Sequence, residues 1–199
     1  MKIGLTGSIA CGKSTVSSYL RTLGYDVADA DAISRALTAQ GGAALPAIRQ
    51  AFGCSVFFED GTLNRRALGS IVFSSEENRA MLNALLHPMI ISEIRQQMDD
   101  AAKSGSHVFA DIPLLYECGM ESLFDQVWVV SASEETQIAR LAVRDGLNRE
   151  EAVQRIRAQM PLSEKETRAD AVISTEGSIE NTQAQVCKLL EKASEGRQA

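Results

Sequence analysis

Gly7-Ser8-Ile9-Ala10-Cys11-Gly12-Lys13-Ser14 decides the fold. The stretch fits the G-x-x-x-x-G-K-[ST] pattern of a phosphate-binding loop. Residues 2–6 before it form a short apolar run that reads as a strand. Residues 13–23 after it place Val16, Tyr19, Leu20 and Leu23 at helical spacing. The chain therefore opens strand, glycine-bearing loop, helix, which is the context such a loop needs and which an accidental glycine turn would lack.

The chemistry follows from that geometry. The backbone amides of Gly7, Ala10, Cys11 and Gly12 are expected to converge on β- and γ-phosphates. Gly12 lets the backbone approach closely, and the helix N-terminus adds its partial positive charge. Lys13 is expected to neutralise charge between those phosphates. Ser14 is expected to place its hydroxyl on Mg²⁺, and Thr15 to lie toward the α-phosphate. Cys11 inside the loop predicts that a thiol reagent inactivates the protein unless ATP is present.

Outward from the loop, residues 25–28 read as a second strand ending in Asp29-Ala30-Asp31, and 32–39 as a helix stopped by Gly41-Gly42. Up to residue 105 the chain offers helical patches at 45–52, 65–73, 76–86 and 89–102 and no strand, which predicts a helical insertion. Residues 107–112 and 126–130 are β-rich. Residues 134–144 and 149–160 are helices with arginine on their polar faces, 171–174 is a last strand, and 179–190 a closing helix. Strands too apolar to face water on one side, alternating with helices, predict a parallel five-stranded sheet covered by helices on both faces. The fold class is α/β, a three-layer P-loop NTPase fold. Its nucleotide-binding core is expected at 1–40, 106–135 and 168–199, the acceptor-binding insertion at 41–105 and a helical lid at 136–167.

Composition narrows the function. A chain of 199 residues, 45% of them hydrophobic, is long enough for one domain with a small insertion. Its 20 basic and 26 acidic residues give a formal charge of −6, so no global field draws it to nucleic acid or an anionic membrane. Cys11, Cys54, Cys118 and Cys187 lack the close pairing of a zinc site and read as reduced thiols of a cytoplasmic protein. The opening residues do not make an export signal, because Gly4, Thr6, Gly7 and Ser8 interrupt the apolar run. No stretch approaches the ~20 apolar residues of a membrane span.

Several polar residues carry two readings each. Asp31, just past the second strand, either accepts the proton of an acceptor hydroxyl or caps the helix beginning at Ala32. Asp111 ends an apolar run and either supports a magnesium-bound water or makes a turn. Arg140 and Arg144 lie four apart on one helical face, as lid arginines over the transferring phosphoryl group or as solvated charges. Arg149, Arg155 and Arg157 read as solvated. His87, before Pro88 at a helix start, is either structural or a substrate contact. His107 reads as an exposed strand-edge residue, and Trp128 as core.

Taken together, these segments resemble the dephospho-coenzyme A kinase family from Ile3 to about Leu190. The resemblance rests on Ile3-Gly4-Leu5-Thr6-Gly7 through Gly12-Lys13-Ser14-Thr15, on Asp29-Ala30-Asp31 with Arg35, and on Leu85-Leu86-His87-Pro88. It extends through Asp111-Ile112-Pro113-Leu114-Leu115-Tyr116-Glu117, then Gln137-Ile138-Ala139-Arg140-Leu141 with Arg144-Asp145. Gln159-Met160, Glu164-Lys165 and Ala169-Asp170 complete it. The proline-containing segment after Asp111, with the His-Pro pair, discriminates more than the loop does. The resemblance implies phosphate transfer from ATP, with Mg²⁺, to the ribose 3′-hydroxyl of dephospho-coenzyme A. Thr6, Lys13, Asp31 and Arg140 would form the catalytic group. Asp31, Arg65, His87, Pro113 and Leu114 would hold the acceptor, Arg144 would help hold ATP, and Ser14 and Asp111 would serve the metal. It implies a small-molecule substrate and no nucleic acid, membrane or obligate protein partner.

Ser8, Ala10 and Cys11 stand where that family commonly carries Gly, Gly and Ser; loop side chains of this size can point outward, so phosphate binding is expected to survive. Ser174-Thr175 replaces its Asp-Asn on the adenine side, before Gly177. The alternatives are a nucleoside, nucleotide or small-metabolite kinase on the same scaffold, and a regulatory nucleotide switch. The lack of an Asn-Lys-x-Asp segment lowers the guanine-switch reading.

Overall fold

The computed structural model describes residues 1–103 and 105–195. Its centre is β1 (Lys2–Gly7), buried from Ile3 to Gly7. Around it run β2 (Asp26–Asp29), β3 (Val108–Asp111), β4 (Gln126–Ser131) and β5 (Ala171–Ser174). They form a parallel five-stranded sheet in the order β2-β3-β1-β4-β5, flanked by helices. The register places Leu5 beside Asp111, Gly7 beside Val130 and Ser131 beside Ser174. The carboxyl ends of β3, β1, β4 and β5 thus share one edge, where ligands of open α/β sheets bind.

Two compact units divide the chain, Met1–Ala28 with Met98–Ala199 and Asp29–Gln97. In the first, α1 (Lys13–Thr22) and α9 (Ile179–Glu195) pack on each other and on the sheet. Val16 and Leu20 of α1 meet Val186, Leu190 and Ala193 of α9 over Ile3, Leu5, Phe109 and Trp128. Burying one such leucine contributes about 1.5–3 kcal/mol. Tyr25, Phe109 and Trp128 step through this core edge to face, at 5.5 Å for each pair of ring centroids. His107 is buried beside them rather than exposed, with its Nε2 3.2 Å from the Ser194 hydroxyl, because α9 runs on past residue 190 to cover it.

The second unit contains α2 (Ala30–Leu37), α3 (Leu45–Phe52) and α4 (Arg65–Ser74), which bury Ala44, Ile48, Val56, Leu68 and Val72 together. Among its described residues there is no strand beyond Asp29 of β2, only an isolated antiparallel bridge between Phe57 and Leu63. α5 starts in this unit and runs unbroken from Glu76 to Ala102 with Pro88 inside it, so the expected break at residues 87–88 does not occur. Proline removes one backbone donor, which a helix of 27 residues tolerates when packing holds both halves. Ile94 and Met98 on its later turns are buried.

The remaining helices are α6 (Glu134–Asp145), α7 (Arg149–Arg157) and α8 (Leu162–Arg168). Ser133 caps α6, and Asn148 with Glu151 forms a reciprocal capping box on α7. Ile138, Leu141 and Ala152 make their shared core, against which Ile9 and Ala10 of the glycine-bearing loop pack. Residues 9 and 10 are therefore fixed by apolar contact with the helices that carry the arginines.

Candidate active site

The loop leaves β1 and turns into α1 with Gly12 at the helix N-cap, φ +88°. A Cβ on Gly12 would sit 3.1 Å from Thr175 Cγ2 and 3.3 Å from an Arg140 guanidinium nitrogen, so the left-handed backbone favours glycine and a side chain would crowd both neighbours. Ala10 adopts φ +59° without being glycine, at a cost of roughly 1–2 kcal/mol. Its packing against α6 and α7 offsets that strain.

Gly7 is constrained by crowding. A Cβ there would lie 2.5 Å from Cys11 Sγ and 2.6 Å from the Val130 carbonyl oxygen, and the latter is held in the β1–β4 ladder. Gly7→Ala is therefore expected to force the loop off its strand, costing about 1–3 kcal/mol of stability. It should also weaken ADP binding measured by calorimetry; unchanged affinity would show that the close approach is unimportant.

Cys11 does not point outward. It is fully buried against Gly7, and burial pushes its thiol pKa above the ordinary value despite the opposing pull of Lys13. The thiolate is the reactive form, so the expectation of ATP-protected inactivation reverses. A thiol reagent should label exposed Cys54 while activity persists with or without ATP. Intact-mass mapping with residual activity checks this, and loss of activity accompanied by label on Cys11 would contradict it. Ser8 is also buried.

Lys13 Nζ pairs with the Asp111 carboxylate, whose side chain is 7% exposed, which brings the expected phosphate ligand and the expected metal-side acid together at the ends of β1 and β3. Thr6 is fully buried, and its hydroxyl donates to the Pro113 carbonyl at 3.1 Å. Pro113 thereby lies against the end of β1, while the adjoining Leu114 is exposed. Ser14 and Thr15, on the first turn of α1, are exposed.

Arg140 reaches from α6 across to the loop. One guanidinium nitrogen donates to the Ala10 carbonyl at 3.2 Å and to Thr175 Oγ1 at 2.9 Å, and the other to the Thr175 carbonyl at 2.9 Å. The Thr175 hydroxyl in turn donates to the Cys11 carbonyl at 2.7 Å. Thr175, assigned to the adenine side from sequence, is thus a knot tying the end of β5 to the loop and to Arg140. Arg144 engages its neighbour Asp145 with two bonds of 2.9 Å. Arg149 pairs with Glu135 and Arg155 with Asp145, all on the surface, as solvated charges do.

A cleft of about 650 Å³ opens beside this knot, within the range of small-molecule sites. Ser14, Thr15, Arg140 and Arg144 line its polar side, and Ala139, Val143 and Ile179 its apolar side. Val143 and Ile179 are 90% and 59% exposed, large apolar surface that a planar base would cover.

Two residues without an assigned role, Gln159 and Lys165, prove to brace the loop. Gln159 Oε1 accepts the Ile9 amide at 2.8 Å and the Ser8 hydroxyl at 3.3 Å. Lys165, wholly buried, donates to the Gly7 carbonyl at 3.3 Å and pairs with Glu117 at 2.8 Å. Lys165 sits among polar neighbours on α8, a pattern that reads as solvent-facing, so no sequence signal marks its burial.

The second unit places three expected residues. Asp29 is the N-cap of α2, its carboxylate accepting the Ala32 amide at 2.9 Å, so the helix starts at Ala30 and Asp31 lies inside its first turn. The capping reading of Asp31 is thereby taken by Asp29, and the Asp31 side chain is exposed. Arg65 donates to Thr38 Oγ1 at 2.8 Å and to the Arg35 carbonyl at 3.3 Å, tying α4 to the end of α2. His87 is half-buried within α5.

No group of three or more His, Cys, Asp or Glu among the described residues could hold a metal by itself. The hydroxyl of Ser14 and the carboxylate of Asp111 are hard oxygen donors, which fit a Mg²⁺ that completes its shell with substrate phosphates.

The family model described as Dephospho-CoA kinase matches residues 1–181. The dephospho-CoA kinase of Carboxydothermus hydrogenoformans is 47% identical over 191 residues, covering 96% of this chain and 93% of its own. Among solved structures, TT1252 from Thermus thermophilus superposes with a TM-score of 0.84 at 36% identity, covering 97% of both chains. The dephospho-CoA kinase from Campylobacter jejuni gives 0.74 at 29% identity, covering 99% of this chain and 100% of its own. A match running from the phosphate loop through the α6–α8 helices and past β5 leaves no segment of the site outside it: the chain belongs to the dephospho-CoA kinase family.

Proposed function

We propose that the protein transfers the γ-phosphoryl group of ATP to the ribose 3′-hydroxyl of dephospho-coenzyme A, giving coenzyme A. The observation that carries this reading is the phosphate loop locked by Arg140 and Thr175 beside a cleft of about 650 Å³ with one polar and one apolar side, in a chain whose relatives bear the name dephospho-CoA kinase.

In this reading the amides of residues 10–14 hold the donor's terminal phosphates, and Lys13 spreads their charge. Arg140 stabilises the transferring group, and Arg144 lies along the nucleotide. Val143 and Ile179 cover the faces of the base. Ser14 and Asp111 would hold Mg²⁺, which supplies charge neutralisation between the phosphates when bound. Thr6, through Pro113, keeps the end of β1 in register with the segment after β3. Asp31 accepts the proton of the attacking hydroxyl, a role supported by its exposure and by Asp29 serving as the cap. Arg65, His87, Pro113 and Leu114 hold the acceptor, and α6 to α8 act as the lid. Transfer is direct and in line, without a phospho-enzyme. Its setting is the cytoplasm, in keeping with four free cysteines, and no helix among the described residues is long and apolar enough to cross a membrane.

The test is ATP consumption with Mg²⁺ and a panel of hydroxyl acceptors: dephospho-coenzyme A, nucleosides, nucleotides and small hydroxylated metabolites. Dephospho-coenzyme A alone should accelerate ADP release, by about 10²-fold or more over the acceptor-free rate. Equal acceleration by another acceptor, or none by dephospho-coenzyme A, would overturn the assignment.

A further inference from the structure

The mechanism above leaves one buried charge unused. Lys165 is 0% exposed, although an ammonium taken out of water costs several kcal/mol unless it is paired and hydrogen-bonded. Packing alone would be served by methionine. Its three N–H groups have three acceptors: Glu117 Oε1 at 2.8 Å, the Gly7 carbonyl at 3.3 Å and the Pro113 carbonyl at 3.3 Å.

Those acceptors are not scattered. Gly7 ends β1 and begins the phosphate loop that carries Lys13, and Pro113 follows Asp111 by two residues. The Pro113 carbonyl also receives the Thr6 hydroxyl, so Thr6 and Lys165 together occupy both of its lone pairs. One ammonium therefore sets the distance between the strand end bearing the loop and the segment bearing Asp111. Glu117 additionally accepts the Met160 amide at 3.1 Å, and the adjacent Gln159 accepts from Ile9 and Ser8. The positive field of Lys165 also reaches Cys11 within the loop.

We propose that Lys165 is a positioning residue of the phosphoryl-transfer site: it pins the Gly7 and Pro113 carbonyls and so fixes the spacing of Lys13 from Asp111. The proposal rests on the phosphoryl-transfer reading above. It separates from a role in stability alone, because misplacement of a reacting group by about 1 Å costs on the order of 10²-fold in rate even in a folded protein.

The experiment compares wild type, Glu117→Gln, and Lys165→Met combined with Glu117→Gln. The double variant removes the buried ammonium together with its partly exposed partner charge, so neither is left unpaired, and retains an acceptor for the Met160 amide. Glu117→Gln alone keeps the two carbonyl contacts. Because it leaves the buried ammonium without a counter-charge, its melting temperature should fall, but in the folded range its kcat/KM for ATP should fall at least about tenfold less than that of the double variant; an equal loss would place the positioning role in the Glu117 charge and overturn the proposal. The double variant should keep its circular dichroism spectrum. Its kcat/KM for ATP should fall about 50-fold or more, and its ADP affinity by calorimetry at least about tenfold. Smaller losses in both would overturn the proposal, as would failure of the double variant to fold, since the role would then be stability. If wild type binds ADP but phosphorylates no dephospho-coenzyme A, the acceptor reading falls separately, and ADP affinity alone decides the Lys165 proposal.

Discussion

Lys13→Ala is expected to lower kcat/KM for ATP by on the order of 10³-fold, because it removes a preorganised cation aimed at charge that develops on the phosphates. The same change leaves the Asp111 carboxylate, 7% exposed, without its ion-pair partner. A buried acceptor stripped of its donor costs about 1–3 kcal/mol, so the thermal midpoint should fall as well. The two effects separate in the double variant Lys13→Ala with Asp111→Asn, which removes the stranded charge. Its midpoint should recover toward wild type while activity stays lost. Recovery of activity together with stability would show that Lys13 serves only the fold.

Asp31→Asn is expected to reduce kcat by about 10²- to 10⁴-fold, the range supplied by a positioned general base. ADP affinity should remain within about twofold, since phosphate binding is assigned to the loop. Stability should move by no more than about 0.5 kcal/mol, because Asp31 is exposed and the cap of α2 belongs to Asp29. Steady-state kinetics with calorimetry and a melting curve checks all three. Retention of more than half the wild-type kcat would remove Asp31 from the mechanism.

Much of this architecture is readable from local pattern. The apolar run before Gly7 and the helical spacing after Lys13 place the loop between β1 and α1, and the five strands fall where apolar runs stand between turn signals. Part of what local pattern misses comes from partners distant in the chain, and part from the exact path of a helix. Asp29 and Asp31 are equally good caps by composition, and only the backbone of α2 chooses Asp29. Thr175 lies 35 residues after Arg140, and its hydroxyl bonds to Cys11, 164 residues away. Lys165 on a polar helix gives no hint that Glu117 and two carbonyls await it. Pro88 marks a break by rule, yet α5 continues through it as one helix, with Ile94 and Met98 buried on its later turns.

Cys11 and Ala10 show the same lesson within the loop. A small side chain there reads as free to point outward, yet the missing Cβ of Gly7 leaves space inward that the Cys11 thiol fills. Ala10 takes a left-handed conformation that glycine would adopt without strain. Ala10 packs against α6 and α7, whereas Cys11 packs into the core made by β1, α1 and α9.

A crystal structure with a non-hydrolysable ATP analogue tests the central claim most directly. The account expects the β- and γ-phosphates within hydrogen-bond distance of the amides of residues 10–14 and of Lys13, with the base against Val143 and Ile179. A nucleotide bound elsewhere, with those amides untouched, would contradict it.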